Sequence, residues 1–222
     1  IRSVLTLVLI VVLMLPFFPM KAHAAYENTY SNTNSLRVAT GLPEQTTDSA
    51  AGGTALATGY LTNNDRVGVD PNDVELKTIL DWAKELGKDT GVLTTDVMNG
   101  ATPGAFSAHT NNRHDKNAIL RSQLTSGVDL LCANANNEAK SMKSDIEASG
   151  YTYCTDLDQA QASMDQDMVY WLLNMERTDS DSLALETVVP YALDYLDQNE
   201  EGFVIMIEQA FIDKYCHNWD IE

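Results

Sequence analysis

Apolar residues recur at helical spacing in two stretches of this chain and form short unbroken runs in several others. Leu76, Ile79, Leu80, Ala83 and Leu86 share one face of a helix that starts near Asp73, and Gly87 stands where such a helix stops. Leu185, Val188, Val189, Ala192, Leu193 and Leu196 make the second stripe, with Pro190 inside it. Proline removes a helix donor and crowds the preceding turn, so a kink or a late start is expected there. Residues 118–124 and 157–163 read as further helices, and 133–147 as partly helical. Residues 91–95, 128–131, 151–154 and 168–173 read as strands. The run 203–207 lies between Gly202 and Glu208 without polar alternation, the pattern of a strand buried on both faces. Helix and strand alternate. The expected fold is therefore α/β, with a mainly parallel central sheet flanked by helices.

Two N-terminal segments stand apart from this pattern. Arg2 precedes an apolar run over 5–20, and Ala22-His23-Ala24 has the small-x-small form of a cleavage site. Residues 1–24 read as a secretory signal peptide, since a run of about 16 apolar residues is short for a spanning helix. A membrane anchor is the alternative. Residues 25–46 are rich in Asn, Thr and Ser without a period and read as a polar linker. The folded domain is expected over 47–222. The sequence opens on Ile1 rather than methionine, so the natural N-terminus is expected upstream.

Charge narrows the choice of partners. The 222 residues carry a net charge of −18, and Arg2 and Lys21 are the only charged groups of the first 24, so the remainder carries −20. Such a surface repels nucleic acid and anionic membranes. The chain is expected to be secreted, periplasmic or at the cell surface, with no nucleic-acid partner and no stable membrane insertion after signal cleavage. An anionic substrate would need positive charge supplied locally. An exported chain can form disulfides. Of the three cysteines, Cys132 and Cys154 could close one loop, leaving Cys216 beside His217. Neighbours on a helix point about 100° apart, which makes Cys216 and His217 a poor catalytic pair. No C-x-x-C occurs, so nothing suggests a zinc finger.

The densest candidate chemistry lies in Thr47-Asp48-Ser49-Ala50-Ala51-Gly52-Gly53-Thr54-Ala55-Leu56-Ala57-Thr58-Gly59. A serine follows an acid, and the residues behind it are too small to block a large anion. If a helix starts here, its first N–H groups and its dipole form an anion site that also favours the serine alkoxide. The plain alternative is a capped, Ala/Gly-rich packing helix. Farther on come Ala101-Thr102-Pro103-Gly104-Ala105-Phe106-Ser107-Ala108-His109-Thr110-Asn111-Asn112-Arg113, then residues 202–208, then Ile212-Asp213-Lys214-Tyr215-Cys216-His217. Asp213 and His217 are four apart, a spacing that can form half of a zinc site on a helix. A surface acid and a helix-terminal histidine are the ordinary reading of that pair.

These motifs, in this order over residues 46–222, resemble those of the alkaline phosphatases of the bacterial secreted type. The resemblance implies hydrolysis of phosphate monoesters through a phosphoserine, with zinc and magnesium as cofactors and a possible homodimer. By residue-for-residue match, Ser49 is the nucleophile and also a zinc ligand. Arg113 binds the substrate phosphate, and Asp48 orients Arg113. Asp213 and His217 match zinc ligands; Thr102 and Glu208 match magnesium ligands. His109 reads as structural and His114 as exposed. Gly100 stands where the family carries a larger residue near magnesium. The family's Asp-Gly strand end is absent, and so are its later Asp-His pair and last zinc histidine. The chain therefore reads as a fragment or internally deleted form with little or no activity. Two rival readings remain open: a phosphodiesterase or sulfatase relative, and a non-catalytic, acidic, secreted cation-binding protein.

Overall fold

The computed structural model describes residues 47–175 and 181–217. The proposed signal peptide and linker lie outside them. In chain order the elements are α1 (Ser49–Thr58), α2 (Ile79–Glu85), β1 (Asp89–Thr94), α3 (Ala101–Ser107) and α4 (Lys116–Gln123). Then come β2 (Leu130–Asn134), α5 (Asn137–Ser141), α6 (Lys143–Ala148), β3 (Thr152–Cys154), α7 (Leu157–Ala162) and β4 (Val169–Leu173). The last are α8 (Leu185–Leu196), β5 (Phe203–Glu208) and α9 (Ala210–His217). The described residues divide into two compact units, one drawn from 80–98 and the segments after 123, the other from 47–79 and 99–123.

The first unit is a parallel five-stranded sheet with order β3-β4-β2-β1-β5. All six residues of β5 are buried, five as the apolar run over 203–207 predicts and Glu208 in addition. On one face, Leu93, Cys132, Trp171 and Ile205 pack with Val188, Ala192, Tyr195 and Leu196 of α8. The strand starts are tied together by Asp129. Its carboxylate accepts from the Thr90 N–H at 2.7 Å, the Thr90 hydroxyl at 2.9 Å and Lys84 Nζ at 2.7 Å. The strand ends carry Thr94 and Glu208, and sites in such sheets form at that edge.

The second unit packs α1 against α3. Ala50, Ala51, Gly53, Thr54 and Ala57 are buried on α1, and every residue of α3 is buried. A Cβ on Gly53 would lie 2.9 Å from that of Ala105, so the glycine is what lets the helices close. Ala50, Val67, Ala101, Ala105, Ala108 and Ile119 form the core.

Three expectations change. The helix predicted from Asp73 begins at Ile79. Asp70 Oδ1 accepts from the N–H groups of Asn72 (2.7 Å) and Val74 (2.9 Å), and this side-chain turn outcompetes the first helical turns. Leu86 falls past the helix end and is 67% exposed, while Gly87 closes the helix at φ 72°. The α8 helix holds Pro190 inside it and starts at Leu185 without delay. The loop proposed between Cys132 and Cys154 is excluded by topology. Both stand level with Trp171, on opposite sides of β4. Two strand spacings separate them, about 9–10 Å, beyond the reach of a disulfide. Both thiols are free and buried, and burial pushes the Cys132 thiol up, away from the reactive thiolate.

Candidate functional site

Asp48 organises the second unit's candidate residues. Its backbone is extended (φ −79°, ψ 171°) and it caps α1, with Oδ1 accepting from the Ala51 N–H at 2.8 Å. Its other oxygen, Oδ2, accepts from Arg113 Nη1 at 3.0 Å and from the Asp65 N–H at 3.0 Å. Its own N–H donates to Asn64 Oδ1 at 3.1 Å. With the cap supplied by Asp48, Ser49 becomes the first residue of the helix. It is exposed, and its hydroxyl has no hydrogen-bond partner among the described residues. Small residues follow it, and the helix start contributes partial positive charge.

Arg113 is held at two points. Its guanidinium meets Asp48, and its N–H donates to the Asp65 carbonyl at 2.8 Å. Its side chain is 25% exposed. Among the described residues, its other guanidinium N–H groups have no partner and remain able to grip a second anion. Thr102 lies on α3, 6% exposed, with its Cα against Gly53 of α1.

The remaining predicted residues belong to the sheet unit. Glu208 ends β5, is 9% exposed, and accepts from the Thr94 hydroxyl at 2.6 Å. That hydroxyl in turn accepts from the Asp96 N–H at 2.9 Å, while the Asp96 carboxylate pairs with Lys214 at 2.6 Å. Asp213 is exposed on α9, and His217 ends that helix, its side chain lying outside the described residues. The predicted set therefore divides between units: Asp48, Ser49, Thr102 and Arg113 in one, Glu208, Asp213 and His217 in the other.

Carboxylate and hydroxyl oxygens are donors suited to magnesium, and Asp with His suits zinc. Among the described residues, no three His, Cys, Asp or Glu side chains lie together as an ion's ligands, the side chain of His217 being outside that set. His109 is a structural residue: Nδ1 lies 2.7 Å from the Gly68 carbonyl, and its N–H donates to Ser122 Oγ at 2.9 Å. His114 is exposed, and Gly100 caps α3 without a side-chain bond. Sequence reasoning missed Asn64 and Asp65, although the polar run Asn63-Asn64-Asp65 carries an ordinary turn signal.

Residues 20–147, more than half of the chain, match the family model for alkaline phosphatase. The chain belongs to the alkaline phosphatase family. It is 33% identical over 190 residues to alkaline phosphatase 4 of Bacillus subtilis strain 168, covering 78% of this chain and 41% of that one. A cold-active alkaline phosphatase from Shewanella sp. has the same fold at TM-score 0.71 and 37% identity, over 78% of this chain and 45% of that one. A TAB5 alkaline phosphatase mutant with Mg bound shares the fold alone, at TM-score 0.69 and 23% identity over 80% of this chain and 54% of that one. The chain spans about two fifths of the length of the curated relatives it matches.

Proposed function

We propose that this alkaline phosphatase family chain serves hydrolysis of phosphate monoesters through a phosphoserine at Ser49. The observation that carries the reading is the double role of Asp48, which starts the helix bearing Ser49 and holds Arg113 at 3.0 Å. One carboxylate thus joins an exposed serine hydroxyl, a helix N-terminus and a guanidinium with spare donors. The N–H groups of Arg113 and of the α1 start bind the non-bridging phosphate oxygens and neutralise their charge as it redistributes. Ser49 Oγ attacks phosphorus in line and gives its proton to solvent, the bond to the leaving alkoxide breaks, and that oxygen takes a proton back from solvent. Water then attacks the phosphoserine, releasing orthophosphate and restoring the hydroxyl. A monoester fits best, because it presents a full set of non-bridging oxygens to these donors.

In this reading Ser49, Asp213 and His217 are assigned to zinc, and Thr102 and Glu208 to magnesium. Bound divalent cations would supply the serine's acidity and charge for the leaving oxygen. Export through residues 1–24 and a folded domain from 47 onward complete the proposal.

The test is to incubate an intact version of the protein with a chromogenic phosphate ester, quench in acid and map the modified peptide by mass spectrometry, the chain as written being expected to turn over little or no ester. Label is expected on Ser49. Ser49→Ala should remove the label and lower turnover by several orders of magnitude, because nucleophile and binding groups act as a unit. Label on another residue, or full turnover in that variant, would sink the assignment.

A further inference from the structure

The turn beside Asp48 holds a non-glycine residue in a conformation that side chains resist. Asn63 to Arg66 form a tight turn closed by the Arg66 N–H to the Asn63 carbonyl at 3.3 Å. Asp65 is its third residue, at φ 70°. A turn with positive φ at that position ordinarily takes glycine or asparagine. Aspartate tolerates the left-handed region better than most residues, whereas a β-branched residue there is a genuine outlier.

That conformation has a specific product. The Asp65 N–H points to Asp48 Oδ2 at 3.0 Å, and the Asp65 carbonyl accepts from the Arg113 N–H at 2.8 Å. Arg113 Nη1 reaches the same Asp48 oxygen at 3.0 Å. Asp48, Asp65 and Arg113 thereby form a closed ring of three hydrogen bonds, in which the arginine is fixed at its backbone and at its guanidinium. We infer that Asp65 is a positioning residue, whose left-handed backbone sets the aim of Arg113 towards substrate phosphate. The inference rests on the reading of Arg113 as the phosphate-binding group. The Asp65 carboxylate is not the working part. It is 54% exposed and lies 3.4 Å from Nε2 of a still more exposed His114, a surface contact of little value in water. The backbone does the positioning, and pre-setting a planar, bidentate donor saves the ordering cost that binding would otherwise incur.

Because backbone geometry is the working part, valine and glycine should act in opposite directions. In the full chain, Asp65→Val forces the turn out of the left-handed region. Its affinity for inorganic phosphate, measured by calorimetry, is expected to fall about tenfold, the scale of a left-handed penalty. Asp65→Gly removes the carboxylate but accepts positive φ, and is expected to restore what Asp65→Val loses. Amide hydrogen exchange at Arg113 supplies a second readout that needs no phosphate: protection falls in Asp65→Val and returns in Asp65→Gly. Asp65→Ala, with milder strain, keeps the comparison decisive if the valine variant fails to fold. Unchanged affinity and exchange in Asp65→Val overturn the inference. So does an Asp65→Gly variant as impaired as Asp65→Val, since the carboxylate would then be what matters. Failure of the wild type to bind phosphate counts against the phosphate-site reading instead, and the exchange comparison still decides the positioning role.

Discussion

Three N–H groups converge on the carboxylate of Asp48: those of Ala51 on one oxygen, and of Asp65 and Arg113 on the other. Removing it touches the cap and the arginine together. Asp48→Ala is expected to cost about 1 kcal/mol of stability from the lost cap, read by urea denaturation, and also to weaken phosphate binding. Asp48→Asn keeps an oxygen for the Ala51 N–H, so it should spare most of the stability while loosening Arg113. If both variants lost stability equally, the charge rather than the cap would be the stabilising part. Arg113→Ala is expected to weaken inorganic phosphate by about 1.5–3 kcal/mol, the range for a hydrogen bond to a charged group. An unchanged dissociation constant in calorimetry would reduce Arg113 to a surface partner of Asp48.

At the scale of elements, the two neighbouring glycines of α1 make opposite forecasts. A Cβ at Gly52 would meet nothing closer than Thr47 Cγ2 at 3.8 Å, whereas one at Gly53 would meet the Ala105 Cβ at 2.9 Å. Gly52→Ala is expected to stabilise by about 0.5–1 kcal/mol through helix propensity. Gly53→Ala is expected to destabilise by about 1–3 kcal/mol by forcing α1 from α3. Parallel urea titrations of the two variants check the pair, and a stabilised Gly53→Ala would mean that the helices yield easily. The sequence made β5 legible because its five successive apolar residues, 203–207, are all buried. It also exposed the stripe of α8, where packing and period coincide. It concealed the true start of α2, because the Asp70 turn is a side-chain contact with no periodicity. Asp48 and Ser49 stood out by their small-residue motif, but Arg113 was visible only through family resemblance, since nothing in the spacing brings position 113 to position 48. Asp65 escaped because its contribution is made by backbone atoms, which no side-chain pattern records. The Cys132 to Cys154 loop looked possible by count and failed on strand order.

At the scale of the whole molecule, one partly buried acid ties stability to pH. Burial pushes the Asp89 carboxyl above its ordinary 3.8, and the nearby charge of Asp129 adds to this, while the Asn199 hydrogen bond and Lys84 oppose it. The folded chain therefore holds this proton more tightly than the unfolded chain. The stability it contributes is complete below 3.8 and is lost as pH rises through the higher folded midpoint. Asp89→Asn should accordingly raise stability at neutral pH and flatten its decline above 3.8, as measured by denaturation across a pH series. A variant less stable at neutral pH would show that the Asn199 contact outweighs burial.

None of the chain's three tryptophans falls within 47–79 or 99–123. Trp171, fully buried with its indole N–H on Ser163, and Trp82, 55% exposed, both belong to the sheet unit. The indole fluorescence of Trp82 and Trp171 therefore reports on the sheet unit, whereas far-ultraviolet circular dichroism also sees the helix that begins at Ser49 and the helices on either side of Arg113. Following one denaturation by the two signals would show directly whether the serine-bearing helices melt together with the sheet or at a midpoint of their own.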